Sequence, residues 1–379
     1  MEGVNNTPIL AYFGHMLVPF RVLKISSSVY RAILILAVHT IILVGCKYTV
    51  APNNTHFPIV PADSVQMPAR GFFMGILPTP AAGQDLASAY VQAALYAEFV
   101  PVWGRPTPFY QLANELSGAW GNIFVEQLIR DNGMFPLVHM SFIGASGNSL
   151  VLVTPPGLES ATLSDSAWQQ AYLSAAVEVL CASHPLYMSV GNEVNRWYEA
   201  YGVDDDNPNG FQHFATLYKK IYDTLKVLSP ETKIFCTFAR EIVFENREAD
   251  LSVLELFDSE HLDLLVFTSY PYSVQGINRP ADIPDNYFSR AFDHIDMLPI
   301  GFSELGWLVH DFFGGEQSQA DFIDAVADRL TRAQGLNLEL FGWAWLHDLP
   351  GGDSIGLISY DGKEKLAYAR WKSLSMSEP

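Results

Sequence analysis

The chain is poor in positive charge and in cysteine. Its 379 residues include 22 Lys and Arg against 41 Asp and Glu, a formal net charge of −19. A nucleic-acid-binding face or a polybasic membrane surface needs clustered basic residues, so the composition argues against both classes. Of the three cysteines, Cys181 and Cys236 lie in apolar stretches typical of buried thiols, so we expect no disulfide. Apolar residues make up 49% of the chain, which is typical of a globular protein.

The signatures of several enzyme classes are also missing. Neither G-x-G-x-x-G nor G-x-x-x-x-G-K-[ST] follows the first predicted strand, so a nucleotide-binding α/β protein lacks its main signal. The sequence contains no G-x-S-x-G and no His/Cys cluster with zinc spacing. Residues 205–210 match half of a calcium loop, but Thr216 stands where that loop needs a glutamate. We therefore expect neither a metal nor a cofactor.

An apolar run near the N-terminus predicts export. Residues 32–45 (AILILAVHTIILVG) are too short to span a bilayer but suit the core of a signal peptide. Arg21, Lys24 and Arg31 precede the run, and it leads into Cys46 as in a bacterial lipobox; the alternative is a core segment with a buried cysteine. We predict a signal peptide over residues 1–45, lipidation of Cys46 and a linker over residues 46–69. The protein would then be a cell-envelope lipoprotein, periplasmic or outer-surface, whose only membrane contact is its lipid.

From residue 71 onward, short apolar runs alternate with longer stretches of helical period. The predicted strands are residues 72–77, 98–102, 135–140, 187–190, 233–238, 262–268, 299–302 and 338–343. The predicted helices are residues 85–96, 119–131, 164–180, 210–228, 284–296 and 317–334, with Ser164 and Asn209 as N-terminal caps. Eight strands alternating with helices favour a closed (β/α)₈ TIM barrel over an open sheet. We predict this α/β fold as a single domain over residues 70–375.

Two of the predicted strands lead into a glutamate. Strand four runs into Asn192-Glu193, and strand seven runs into Ser303-Glu304. The C-terminal ends of barrel strands meet at one face, where such barrels keep their active sites, so the two glutamates should lie together. Glycoside hydrolysis needs two carboxylates that flank the substrate. One protonates the leaving oxygen, and the other attacks the anomeric carbon or activates water.

Four features resemble the retaining glycoside hydrolases of clan A. They are Asn192-Glu193 after strand four, Glu304 after strand seven, Trp343 and Trp345 at strand eight, and the segment GLISYDGKEKLAY at residues 356–368. The similarity covers most of residues 71–373. Within the clan, the segments DLLVFTSYPY and VGNEVN are most similar to endo-β-1,4-galactanases. Strand one ends in Pro-Thr-Pro without the acidic residue expected of a galactanase, so the sugar and the linkage stay open.

The resemblance implies a role for each central residue. Glu193 would be the general acid/base, with a raised pKa, and Glu304 would be the ionised nucleophile, about 5–5.5 Å away in a retaining enzyme. Asn192 would bind the sugar 2-hydroxyl. Tyr270 would donate its hydroxyl to Glu304, with Tyr272 as the competitor for that role.

Further residues near the strand ends are candidate sugar contacts: Trp103 and Arg105 after strand two, His139 in strand three, Trp197 after strand four, Trp307 after strand seven, and Trp343 and Trp345. One of the last two would form a platform for the sugar. Because they are two positions apart, an extended strand would point them the same way. The others also have ordinary explanations, as core packing for the histidine and the tryptophans and as a surface ion pair for the arginine.

The sequence thus predicts a lipid-anchored retaining β-glycosidase that acts as a monomer on a polysaccharide or oligosaccharide, with no nucleic-acid partner. The alternative is a catalytically inert barrel that binds carbohydrate at the cell surface. The presence of both Glu193 and Glu304 favours the enzyme.

Overall fold

A computed structural model describes residues 58–102, 107–146, 149–204, 206–352 and 354–377. The predicted signal peptide, Cys46 and the first part of the predicted linker lie outside these residues, as do Trp103 and Arg105. The compact unit that contains the described residues begins at Pro58.

A ring of parallel strands forms the centre of the described chain. The strands are, in chain order, Phe73–Ile76 (β1), Phe99–Val102 (β2), Phe135–His139 (β3), Tyr187–Ser189 (β4), Lys233–Phe235 continued by Thr237–Ala239 (β5), Leu265–Ser269 (β6), Ile300–Leu305 (β7) and Leu338–Trp343 (β8). Each pairs with the next, and β8 pairs with β1. The first half of β5 pairs with β4 and the second half with β6, so the ring closes at this strand. The predicted eight-stranded barrel is confirmed.

The strands are apolar along their whole length because both of their faces are covered. Every residue of β3 and of β8 is buried. At the N-terminal end of the strands, the rings of Phe73, Phe135 and Tyr187 fill the interior, with centroids 5.1–6.2 Å apart. The Tyr187 hydroxyl donates a hydrogen bond of 2.7 Å to Glu339, which is 8% exposed. This end of the barrel is therefore a closed aromatic core around one carboxyl group.

Helices cover the outside of the ring. The α-helices of the described residues are Leu86–Ala93 (α1), Phe109–Ser117 (α2), Ala119–Gly121 (α3), Ser166–Ser183 (α4), Asn195–Tyr201 (α5), Phe211–Leu228 (α6), Gly315–Asp324 (α7) and Leu366–Ser375 (α8). Two π-helical segments, Asn122–Gln127 and Ala325–Arg329, continue α3 and α7. Short 3₁₀ turns lie at Arg130–Asn132, Val243–Glu245, Leu251–Leu256, Ser259–His261, Pro271–Ser273, Pro280–Asp282, Ser289–Asp293, Asp311–Phe313 and Arg332–Gln334. Antiparallel hairpins pair Ile143–Ser146 with Ser149–Leu152 and Glu241–Ile242 with Arg247–Glu248.

One predicted helix is wrong. Residues 284–296 form only the 3₁₀ turn Ser289–Asp293, because the Tyr287 carbonyl accepts two hydrogen bonds from Arg240 and is not available to a helix. The predicted caps are also displaced by one residue. Asp165 caps α4 by accepting the N–H groups of residues 167 and 168, and α6 begins after Gly210. Sequence analysis missed α2, α5 and α8.

The segment that follows Pro58 packs against the barrel before residue 70 is reached. The Ile59 N–H donates to the carbonyl of Leu228, and the Ala62 N–H donates to the carbonyl of His184. Asp63 accepts two hydrogen bonds of 3.0 Å from Arg130. The packed part of the chain therefore starts within the predicted linker.

Two further findings concern the cysteines and the helices of the described chain. Cys236 is buried at the interruption of β5, and it forms no disulfide with Cys181. None of the helices in the described ranges combines the length and the apolar character needed to cross a membrane.

Candidate active site

The C-terminal mouth of the barrel brings Glu193, Glu304 and Tyr270 together. Glu193 follows β4, Glu304 lies near the end of β7, and Tyr270 follows β6. The Tyr270 hydroxyl forms a hydrogen bond with Glu304, and burial together with the charges of both glutamates raises the pKa of that hydroxyl. Burial also raises the pKa of Glu304, and the charge of Glu193 adds to this. The sequence prediction placed these three side chains at one face, and they interact there.

Glu193 is held in an uncommon backbone conformation. Its φ is +47°, in the left-handed region, which costs a non-glycine residue about 1 kcal/mol or more and often marks functional sites. Its N–H donates to the Thr237 hydroxyl at 3.0 Å. Its carboxylate accepts from the Thr268 hydroxyl at 2.8 Å and forms a 2.8 Å ion pair with Arg196. Strands β5 and β6 and helix α5 therefore fix this side chain together.

Glu304 lies where the register of β7 is irregular. The pairing of β7 shifts against β6 between Phe267 and Thr268, and against β8 between Phe302 and Leu305. Such irregularities turn side chains toward active sites. At Gly342 an added Cβ would come within 2.6 Å of the Ser303 carbonyl, so β8 can lie this close to β7 only because it has glycine there.

Burial and a neighbouring charge alter the titration of Glu304. Burial raises its pKa to about 7, the neighbouring Glu193 charge adds to the rise, and the hydrogen bond from Tyr270 opposes it. Glu193 forms an ion pair with the Arg196 guanidinium, whereas Glu304 is buried next to a like charge.

Asn192 and Glu193 border a pocket of about 170 Å³. Arg196 completes this side, and the opposite wall is the hairpin after β3, with Ser141, Ile143, Gly144, Ala145 and Leu150. Asn192 is held by a 2.7 Å hydrogen bond from the Thr237 hydroxyl. A larger groove of about 710 Å³ lies at the opposite end of the barrel, between the segments that lead into β6 and β7. Only the smaller pocket includes a strand-end glutamate.

Two tyrosines competed for contact with Glu304, and the hydrogen bond comes from Tyr270. The ring of Tyr272 packs edge-on against Trp307 and Phe313. A third glutamate, Glu241, accepts the Tyr270 N–H at 2.7 Å from behind the site.

Trp343 does not form a sugar platform. It is fully buried, donates its indole N–H to the Ile355 carbonyl at 3.0 Å, and packs against Phe322 of α7 and Trp371 of α8. Strand β8 ends at Trp343, so the alternation of side chains along the strand does not extend to Trp345, and the two tryptophans differ in burial. Trp345 is partly exposed and remains the candidate platform.

The other aromatic candidates are part of the core. Trp307 is fully buried and donates to the Phe313 carbonyl at 3.2 Å. Trp197 is 1% exposed, stacks on Tyr201 and donates to the Asn209 carbonyl. Neither can present a ring face to a sugar. His139 is buried in β3, and burial lowers its pKa to about 3, so it is neutral at physiological pH.

Sequence reasoning missed Arg196, Thr268 and Glu241. Arg196 is three residues after Glu193, so a prediction of α5 would have paired them. Thr268 is the last residue of predicted strand six, two positions before Tyr270, so its place at a strand end was visible in the sequence. Glu241 closely follows predicted strand five, so the rule that found the other two glutamates would have found it as well.

The described part of the chain contains no group of three or more His, Cys, Asp or Glu side chains arranged to hold a metal ion. The candidate site is thus built from two carboxylates, a tyrosine, an arginine and hydroxyl donors. These groups can bind, accept and transfer protons, and a carboxylate can attack carbon.

The fold is shared with solved structures of barrel glycosidases. No protein-family model and no curated protein sequence matches the chain. An exo-β-1,4-mannosidase from Opitutaceae bacterium strain TAV5 superposes with a TM-score of 0.55 at 16% identity, over 83% of this chain and 62% of that one. The β-glycosidase BGL167 gives 0.54 at 14% identity, over 77% and 85% of the two chains. A GH5_18 protein from Streptomyces cattleya, in complex with GlcNAc, gives 0.51 at 16%, over 81% and 80%.

This chain spans 62% of the length of the mannosidase. At such identities the comparisons establish a common fold, an α/β barrel of the kind found in clan A glycosidases. The resemblance drawn from the sequence is confirmed at that level.

Proposed function

We propose that the protein is a retaining β-glycoside hydrolase with Glu304 as nucleophile and Glu193 as general acid/base. The observation that carries the proposal is the meeting of these two carboxylates at one barrel mouth, with charges that interact and with the Tyr270 hydroxyl on Glu304. Two carboxylates flanking a substrate are the minimal machinery of glycoside hydrolysis. The barrel shared with solved glycosidases supports the same class.

The reaction takes two steps. In the first, a carboxylate oxygen of Glu304 attacks the anomeric carbon, the glycosidic C–O bond breaks, and Glu193 gives its proton to the leaving oxygen. In the second, Glu193 as a carboxylate takes a proton from water, the water oxygen attacks the anomeric carbon, and Glu304 leaves. Tyr270 donates to Glu304 whenever that carboxylate is negative. Asn192 lines the same pocket as Glu193 and would bind a sugar hydroxyl.

The first step needs an ionised Glu304 and a protonated Glu193. Arg196 occupies one carboxyl oxygen of Glu193 in a 2.8 Å ion pair, so substrate binding has to displace that contact before Glu193 can reach the leaving oxygen. The same ion pair favours a second candidate function, carbohydrate binding without hydrolysis. In that case Arg196 and Glu193 would stay paired and serve only as hydrogen-bonding groups for a sugar.

The two functions separate in a labelling experiment. A panel of activated 2-deoxy-2-fluoro-β-glycosides should include the mannoside, because one structural neighbour is a β-1,4-mannosidase, and the galactoside, because of the sequence resemblance. A retaining enzyme accumulates the fluoroglycosyl adduct on Glu304, identified by peptide mass spectrometry, and the Glu304→Gln variant gives no adduct. Sugars that bind without labelling or hydrolysis would favour the inert barrel.

A second test addresses the acid/base. In Glu193→Ala, substrates with good leaving groups should still form the covalent intermediate, and added azide should restore turnover and give a β-glycosyl azide. An α-azide product would contradict retention. The control is Glu199→Ala in helix α5, which begins two residues after Glu193; it removes an ion pair with Arg247 and should leave turnover unchanged.

We further propose that the protein is exported and anchored by a lipid on Cys46, which would place the barrel among carbohydrates outside the cytoplasm. Cys46→Ala should lose lipid labelling and membrane fractionation, and Cys181→Ala should keep both. Membrane retention of the first variant would refute the anchor and leave the enzymatic proposal intact.

A further inference from the structure

A third glutamate, Glu241, contacts the end of strand β6 next to the candidate site. Glu241 follows β5 and is 4% exposed. One carboxylate oxygen accepts the hydroxyls of Ser269 and Tyr287, both at 2.8 Å, and the other accepts the N–H of Tyr270 at 2.7 Å. Three donors from two segments thus converge on one buried carboxyl group.

The surroundings compensate the charge of Glu241. Arg240 is fully buried, stacks on the Tyr287 ring at 3.9 Å and bonds to Glu248. Its positive charge opposes the effect of burial on Glu241. A buried carboxylate is expensive even when paired, and similar packing could be achieved with apolar residues. Its presence beside the site therefore calls for a reason other than stability.

Tyr270 connects Glu241 with the nucleophile. Strand β6 ends at Ser269, so the Tyr270 N–H lies beyond the sheet ladder, and Glu241 is its acceptor. The side chain of the same residue donates to Glu304. The position of that hydroxyl thus depends on where Glu241 holds the end of β6.

We propose that Glu241 is a positioning residue that fixes Ser269 and Tyr270 so that the Tyr270 hydroxyl meets Glu304. Its effect on catalysis rests on the proposed glycosidase function. The structural coupling from Glu241 to Glu304 does not, and it can be measured separately.

The kinetic test compares Glu241→Gln with Glu339→Gln. Both glutamates are buried and accept a tyrosine hydroxyl, but Glu339 lies at the opposite end of the barrel. Glu241→Gln should lower kcat by about tenfold to a hundredfold with little change in KM, the scale expected for a small displacement of a catalytic group. Glu339→Gln should leave kcat unchanged. Wild-type kcat in a folded Glu241→Gln variant, or an equal loss in both variants, would overturn the proposal.

The structural test needs no substrate. Carbon-13 NMR of labelled glutamate carboxyls follows the titration of Glu304, whose signal is identified by its absence in Glu304→Gln. Tyr270→Phe removes a donor that favours the carboxylate, so the Glu304 midpoint should rise. Glu241→Gln should also raise the Glu304 midpoint, because the Tyr270 hydroxyl would be displaced. If the loss of the negative charge of Glu241 were the only effect, the Glu304 midpoint would fall. The direction of the shift therefore separates positioning from simple electrostatics.

Tyr287→Phe provides a milder variant in case Glu241→Gln does not fold. It keeps the ring beneath Arg240 and removes one donor to Glu241. We expect a smaller upward shift of the Glu304 midpoint. An unchanged or lowered midpoint in the folded variants would refute positioning. A positive NMR result without any hydrolysis would refute only the glycosidase function.

Discussion

Each end of this barrel buries a glutamate that accepts a tyrosine hydroxyl, but the surroundings of the two glutamates differ. At the N-terminal end, Glu339 accepts the Tyr187 hydroxyl within a closed aromatic core. At the C-terminal mouth, Glu304 receives the Tyr270 hydroxyl, but a second carboxylate, Glu193, lies close enough to raise its pKa. A single buried carboxyl with one donor serves packing. A buried carboxyl group whose charge is disfavoured by a neighbouring carboxylate is unfavourable for packing and useful for chemistry.

The largest expected difference between the two ends is in kcat, when one buried glutamate at either end is replaced by glutamine. Glu304→Gln should lower kcat by several orders of magnitude, because an amide cannot attack the anomeric carbon, while thermal stability stays the same or rises. Glu339→Gln should do the reverse and lower the melting temperature while kcat stays unchanged. Steady-state kinetics and calorimetry on both variants test the comparison, and it fails if both variants lose activity alike.

The next largest effect separates the two tryptophans at the end of β8. Trp343→Ala should lower the free energy of unfolding by about 3–5 kcal/mol, because it empties a fully buried site between the barrel and its helices. Trp345→Ala should leave stability nearly unchanged and raise KM about tenfold, or about 1.4 kcal/mol. Urea denaturation and KM measurements on the pair check this. A stable Trp343→Ala variant with raised KM would restore the original platform prediction.

The pH dependence of stability should also differ between the two ends. Burial raises the pKa of Glu241 to about 7 from its ordinary value of 4.5, so between these pH values the folded state binds a proton that the unfolded state releases. This contribution to the free energy of unfolding is complete below pH 4.5, lost as pH rises through about 7, and worth at most about 3 kcal/mol.

Urea denaturation between pH 5 and pH 8 should therefore show stability falling with pH in the wild type and a shallower fall in Glu241→Gln. A slope that is the same in both proteins would mean that Glu241 does not titrate in this window.

The last prediction concerns the pH dependence of kcat/KM. Glu304 must be ionised to attack, and its pKa is about 7, so kcat/KM should rise about tenfold per pH unit below pH 7 and level off above it. A pH–rate profile with an ascending limb centred near pH 4.5 would show that substrate-free burial of Glu304 does not govern the reaction.

The pattern of apolar residues along the chain was sufficient to predict the strands of the barrel. The eight apolar runs are separated by helical stretches, and each run became a strand at nearly the predicted place. Helix 284–296 failed for a reason no local pattern contains, since the Tyr287 carbonyl is taken by Arg240 from another strand end. The same limit explains why the sequence could not tell which of Trp343 and Trp345 is buried. Their spacing was visible, but the point where β8 ends decides which of them is covered by α7 and α8.

The sequence by itself determined the number and order of the strands, and with them the fact that Glu193 and Glu304 share one face. Parallel strands all end at the same edge, so any residue at a strand end is placed by topology alone. Tertiary structure decided what surrounds each carboxyl group. The ion pair of Arg196 with Glu193, the burial that raises the pKa of Glu304, and the support of Tyr270 by Glu241 all join residues from different elements. Electrostatic energies depend on distance and burial in space, and neither follows from position along the chain.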